Sequence, residues 1–220
     1  RYYVLGLTWA GSAYAFHCIG STMAVRSRAY YQVRGIPKRQ AGEDFYLLNK
    51  VAKVGRVQVP ECEPIQIEQR RSQRTPFGTG PATLRISEAI RSGQDFEVYN
   101  PKSFALLREW LEVLDEYASQ CDRSILDRLS HQELRDALPL DTDKQLRAAA
   151  SECKNPDARR RRLHQWFDGF RTLKLIHALR DRGLCDKPWH EAFDSAPFLP
   201  DPMEGLDLRQ SMAAREKKLS

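Results

Sequence analysis

The sequence predicts an α/β segment followed by an α-helical domain, predominantly helical overall. Three observations carry that expectation. Strand-like and helix-like stretches alternate over roughly the first 80 residues, and from about Leu84 onward apolar residues recur only at helical spacing. The excess of positive charge is also confined to the first part of the chain. Lys and Arg number 35 against 29 Asp and Glu, yet residues 101–220 hold 21 of each sign, while residues 1–100 hold 14 basic and 8 acidic side chains. An anion site is therefore expected in the first hundred residues. The 220 residues are 41% hydrophobic, enough to bury a core, which excludes a disordered chain. The expected boundary separates residues 1–95 from residues 96–220.

The elements follow in order. Tyr2 to Ala10 reads as a helix. Tyr14 to Val25, rich in aromatic and small residues, reads as containing a strand broken by Gly20 and Ser21. Arg26 to Val33 reads as a short helix ended by Arg34-Gly35-Ile36-Pro37, where Gly35 suits a left-handed stop and Pro37 prevents continuation. From Glu43 to Val54, the residues Phe45, Leu48, Val51 and Ala52 fall three and four apart, the pattern of a helix with one buried face that stops at Gly55. Arg56 to Val59 reads as a strand, and Gln69 to Pro81 as a polar loop turning at Thr75 to Gly80.

Beyond Leu84, Phe104, Leu107, Leu111, Leu114 and Ala118 predict one long amphipathic helix. Leu163, Trp166, Phe167, Phe170, Leu173 and Ile176 predict a second. Ile125 to Leu138 and Lys144 to Cys153 offer two more, and Asn155-Pro156-Asp157 is a helix start. After Pro197, Pro200 and Pro202, Leu206 to Leu219 reads as a last polar helix that caps the domain.

Composition narrows the functional classes. No run of about 18 apolar residues occurs, so no transmembrane helix is expected within these residues. Cys18, Cys62, Cys121, Cys153 and Cys185 are odd in number and never form a C-x-x-C, which argues against a disulfide framework or a zinc knuckle and for a reducing compartment. Cys18 and Cys62 lack a base partner in any motif and read as small buried residues. Tyr2 to Ala10 lacks the basic front of a signal peptide, and the opening at Arg1 is expected of a piece of a longer protein. Arg159 to Arg162 reads as a solvated helix face, so no nucleic acid is expected. Trp110, Trp166 and Phe170 lie on apolar stripes and read as core.

Chemistry concentrates at Gly42-Glu43-Asp44-Phe45, where two adjacent carboxylates open a helix. Free amides and the helix dipole favour negative charge there, so capping is the simplest reading. Upstream stands Gly20-Ser21-Thr22-Met23-Ala24-Val25-Arg26. Together these residues, with Gly35 between them and Leu47, Leu48, Ala52 and Gly55 after them, resemble the second half of a family 2 glycosyltransferase of the GT-A type. In that family a G-S-x-x-A-x-R element, a helix, a glycine turn and an E-D pair follow in this order. The resemblance covers about residues 1 to 90.

The resemblance implies the acceptor-side half of a Rossmann-like GT-A domain, followed here by the helical domain. It implies that Asp44 takes the proton of an acceptor hydroxyl as that hydroxyl attacks the sugar, with Glu43 orienting it or binding the acceptor. It further implies a nucleotide-sugar donor, a hydroxyl acceptor and Mg2+ or Mn2+ in the intact, cytoplasmic enzyme, with any membrane association left to regions outside these residues. Arg70, Arg71 and Arg74 are the candidates for holding the leaving diphosphate, in a loop able to close over it. Some related enzymes take a third metal ligand from a histidine of this half, a place His17 would fill. A structural or acceptor-side histidine is the other reading of His17.

Departures from the family are specific. Arg34-Gly35-Ile36 stands where two glycines and an aromatic are usual. Gln69-Arg70-Arg71-Ser72-Gln73-Arg74 lacks the tryptophan of the processive Q-x-x-R-W, which disfavours a processive synthase. No D-x-D precedes Gly20, and Asp141-Thr142-Asp143 reads as a helix start rather than a metal motif. The expectation is an inverting, non-processive transferase whose donor half lies elsewhere, leaving this fragment inactive alone. The rival expectations are a non-enzymatic helical interaction module and a basic nucleic-acid-binding domain.

Overall fold

A computed structural model describes residues 1–18, 22–60, 79–120 and 124–199, with the side chains of all of these but 79–83 and 90. In chain order the helices are α1 (Tyr2–Trp9), α2 (Ser27–Gln32), α3 (Glu43–Val51), α4 (Thr79–Arg91), α5 (Pro101–Ser119), α6 (Gln132–Ala137), α7 (Thr142–Ser151), α8 (Pro156–Trp166), α9 (Gly169–Asp181) and α10 (Trp189–Ser195), with a 3-10 turn at Leu126–Arg128. Strands β1 (Glu97–Val98) and β2 (Lys187–Pro188) pair antiparallel, Glu97 opposite Pro188 and Val98 opposite Lys187. The described chain is thus predominantly helical. It divides into two compact units, one of residues 1–15 with the described part of 97–220, the other of Phe16–Phe96.

The larger unit is built around α5. Asn100 opens that helix by accepting a hydrogen bond from the Lys102 amide (3.0 Å), and Pro101 occupies the first position, where its missing N–H costs nothing. The expected stripe Phe104, Leu107, Leu111, Leu114 and Ala118 is buried. So are Leu106, Trp110, Val113 and Tyr117, because α1, α8 and α9 all pack on this one helix. Helix α1 is apolar on every side, and Gly6 faces the Phe104 ring so closely that a Cβ there would lie 2.5 Å from it. The Tyr2 hydroxyl donates to the Tyr99 carbonyl (2.8 Å), tying α1 to the residue after β1.

The second expected long helix is in fact two. At Phe167 the backbone leaves helical geometry (ψ 70°), and the Asp168 carboxylate accepts from the Phe170 and Arg171 amides, both at 3.1 Å, to start α9. The apolar spacing continues across this break because both helices turn their faces to the same core. The Asn155 side chain caps α8 by accepting from the Ala158 amide (2.9 Å), as the Asn-Pro-Asp signal implied. Ile125 to Leu138 is not one helix either. Asp143 draws the Ser124 hydroxyl and the Ile125 amide (2.9 Å), and Glu109 of α5 accepts from the Ser130 (2.5 Å) and His131 (3.3 Å) amides, so side chains from elsewhere take the donors a continuous helix would use.

In the smaller unit α2 and α3 form as expected, joined by a turn in which both Arg34 (φ 58°) and Gly35 (φ 68°) are left-handed. Val33, Leu47 and Val51 form a small core with Val25 and Val57 packed against it. The expected strands are not seen among the described residues. Residues 22–26 and 56–60 belong to no ladder, and β1 with β2 is the one sheet among the described residues. A strand exists only through a hydrogen-bonded neighbour, and β composition alone supplies none. The Rossmann-like α/β layer is accordingly not seen among the described residues. Helix α4 takes in Thr79, Gly80 and Pro81, the end of the expected loop, while the loop's Arg70, Arg71 and Arg74 and the expected helix Leu206 to Leu219 lie outside the described residues.

Candidate functional site

The acidic pair sits where helix physics puts it. Gly42 precedes α3 in a left-handed conformation (φ 76°), which swings the chain so that Glu43 and Asp44 form the first turn. Neither side chain provides the N-cap hydrogen bond, although an Asp44 carboxylate oxygen accepts from the next residue's amide, that of Phe45, at 2.7 Å. Glu43 is exposed and Asp44 half-buried. Below them Leu47, Leu48 and Val51 are buried, so the apolar face of α3 anchors the helix and leaves its opening turn at the surface. The Arg39 guanidinium lies 4.0 Å above the Tyr46 ring, which places a cation beside that turn.

Cys18 belongs to the same neighbourhood. Burial pushes its thiol above the ordinary cysteine range, and the negative charge of Asp44 pushes it further the same way. The segment leading into the Gly20 element and the E-D turn therefore lie close in space, a proximity that no local pattern in the sequence signals. Cys18 is half-buried rather than fully enclosed. His17 is exposed. Among the described residues no three His, Cys, Asp or Glu side chains converge to hold a metal ion. The described residues thus offer no three-ligand cage for Mg2+ or Mn2+, at His17 or elsewhere. Arg70, Arg71, Arg74 and Cys62 lie outside the described residues.

Asp141 and Asp143 do open α7, as expected of a helix start, and the Asp143 carboxylate is engaged by Ser124 and Ile125. Of the basic run Arg159 to Arg162, Arg160 grips Asp115 of α5 with two hydrogen bonds (2.9 and 2.7 Å) and Arg162 pairs with Glu152 (3.1 Å). These arginines brace helices, which extends the reading of a merely solvated face. His164 also reaches Asp115 (2.6 Å). Burial raises the Asp115 carboxyl, but the hydrogen bonds from His164 and Arg160 outweigh it and hold the group below the usual aspartate range.

Trp110 is fully buried, as expected. Trp166, packed against the core at its edge, and Phe170 are half-buried and line a groove of about 590 Å³ with Leu138, Pro139, Arg171 and Lys174. Arg171 stacks over Trp166 at 4.3 Å and Lys174 sits 4.7 Å from the centre of Phe170. The break at Asp168 turns these rings outward, which the unbroken spacing concealed.

Neither family models, nor curated proteins, nor solved structures give a match to this chain. No described helix is long and apolar enough to cross a membrane.

Proposed function

We propose that this chain is the acceptor-side part of an inverting, non-processive glycosyltransferase, with Asp44 as the base. The observation that carries the reading is the half-buried Asp44 carboxylate at the head of a well-anchored helix, near enough to Cys18 for its charge to raise that thiol. In the reaction the acceptor oxygen attacks the anomeric carbon while its proton passes to the Asp44 carboxylate. The bond from that carbon to the diphosphate oxygen breaks, the nucleoside diphosphate leaves with the electron pair, and the configuration inverts. Asp44 suits the task because the hydroxyl becomes acidic only as the new bond forms, so the proton passes to the carboxylate late in the step. Glu43, one residue earlier and exposed, is free in space to meet an acceptor hydroxyl. Arg70, Arg71 and Arg74 are assigned to the leaving diphosphate, and the nucleotide pocket with any divalent ion to a donor half outside these residues.

The test uses the parent enzyme that carries these residues, followed by release of nucleoside diphosphate from a nucleotide sugar and acceptor. Asp44→Asn keeps the shape and removes the proton acceptor, so turnover should fall by about two to four orders of magnitude with folding retained. Near-normal turnover by the folded variant would remove Asp44 from the base role. The groove beside Trp166 supports a second reading, a helical interaction module without chemistry, and an unaffected Asp44→Asn enzyme would favour it.

A further inference from the structure

The turn between α2 and α3 combines two properties seldom left together on a surface. Tyr31 is 85% exposed, Ile36 51% and Tyr30 41%. The same segment carries Arg26, Arg28, Arg34, Lys38 and Arg39, all exposed, and from Thr22 to Gly42 there is no Asp or Glu. The first carboxylates, Glu43 and Asp44, begin where this segment ends.

The turn that carries them is tied back onto α2. The Arg34 amide donates to the Tyr31 carbonyl (3.0 Å) and the Gly35 amide to the Tyr30 carbonyl (2.9 Å), folding the turn back onto the end of α2. The Tyr30 ring closes over Gly35, where a Cβ would meet its hydroxyl at 3.0 Å. Arg34 adopts the left-handed conformation without being glycine, a geometry that costs energy and persists only where its surroundings fix it. Beneath, Val33 joins Leu47 and Val51 in the core, so the turn is anchored and its apolar groups are not waiting for a partner within that core.

We propose that this turn docks on an anionic lipid bilayer, with Tyr31 and Ile36 entering the headgroup boundary and Arg28, Arg34 and Lys38 lying against lipid phosphates. Charge complementarity sets the sign of the surface, because five cations in a stretch of sequence that carries no carboxylate favour a layer of negative charge. The apolar side chains select the bilayer over a nucleic acid. Tyrosine is suited to the interface by its apolar body and polar tip, and an aliphatic side chain such as Ile36 gains from acyl chains but nothing from a solvated phosphate backbone. Docking here is independent of the transferase reading and is tested without it.

The 220-residue chain is sedimented with vesicles of phosphatidylcholine alone and with about a third phosphatidylglycerol. Binding is expected only to the anionic vesicles, and raising salt from about 0.1 to about 1 M, which shortens the Debye length from roughly 10 to 3 Å, should release the protein. Arg34→Gln with Lys38→Gln should lower the partition on the order of 25-fold, about five-fold for each cation near the surface. Tyr31→Ser with Ile36→Ser should lower it about ten-fold through lost apolar burial. Both pairs are exposed, and unchanged circular dichroism confirms the fold. No partition onto anionic vesicles, or equal partition onto both kinds, overturns the proposal. So does a Tyr31/Ile36 variant that binds as well as the parent chain while single-stranded RNA strips both from the vesicles, since that pattern describes a contact with polyanions.

Discussion

Gly6→Ala sets two effects of opposite sign against each other at the contact between α1 and α5. Alanine favours a helix over glycine by about 1 kcal/mol, so propensity alone predicts a more stable protein. Packing predicts the reverse. The added Cβ would stand 2.5 to 2.7 Å from three atoms of the Phe104 ring, and that ring has nowhere to retreat. It is fully buried, with Phe198, also fully buried, 5.1 Å away between ring centres, and Tyr2 and Tyr3 at 5.9 and 6.0 Å. Restoring ordinary contact needs a shift of about 1 Å through a filled core, which places the cost near the upper end of the 1 to 3 kcal/mol range for overpacking. The net expectation is a loss of about 2 kcal/mol. All four tryptophans, Trp9, Trp110, Trp166 and Trp189, lie in this unit, so urea unfolding followed by tryptophan fluorescence reads it directly. With a slope of about 1.5 kcal/mol/M, the midpoint should fall by about 1.3 M at unchanged slope. Adding Phe104→Leu should then cost less in the Gly6→Ala protein than in the parent. A midpoint equal to or above the parent's would show that propensity wins and that the aromatic cluster yields freely.

Two further outcomes test the polar links between helices. Asp168→Ala removes the acceptor for two amides at the start of α9 from a site only 6% exposed, and should destabilise the same unit by about 1 to 2 kcal/mol in the same urea assay. Asp115, held below its ordinary value of 3.8, contributes stability that is fully present above that pH and is lost as pH falls through the lower folded value. The urea midpoint should therefore drop on acidification below about pH 4, and Asp115→Asn should flatten that drop. An equally steep drop in the variant would mean that other carboxylates carry it.

The sequence made legible whatever is decided within a few residues. Asn155-Pro156 marks a helix start because cap and proline act locally, and the E-D pair marks another because the free amides it meets belong to its own helix. The break at Phe167 was hidden by apolar spacing that two successive helices share. The described parts of 14–25 and 56–59 form no strand because composition describes a surface that suits pairing and says nothing of whether a partner strand stands beside it. At the candidate site the carboxylates were readable, but the nearness of Cys18 to Asp44 was not, since it arises from folding between distant segments. The same holds for Glu109, Asp115 and Asp143, each of which fixes an element distant in sequence that no local pattern points to.

The larger unit begins with α1 and is completed only by residues that follow Phe96, and this order matters on the ribosome. Helix α1, Tyr2 to Trp9, has apolar groups on every side and no core of its own. The helix it packs against, α5, is about 100 residues further along the chain, which at about 5 to 20 residues per second is a wait on the order of 5 to 20 s. Throughout that interval the segment lacks the helix it packs against in the folded unit, while the residues of the smaller unit emerge and fold on their local contacts. Chains that stop before Ser119 should consequently be captured by chaperones or aggregate, whereas chains that include α5 give the nascent helix its seat.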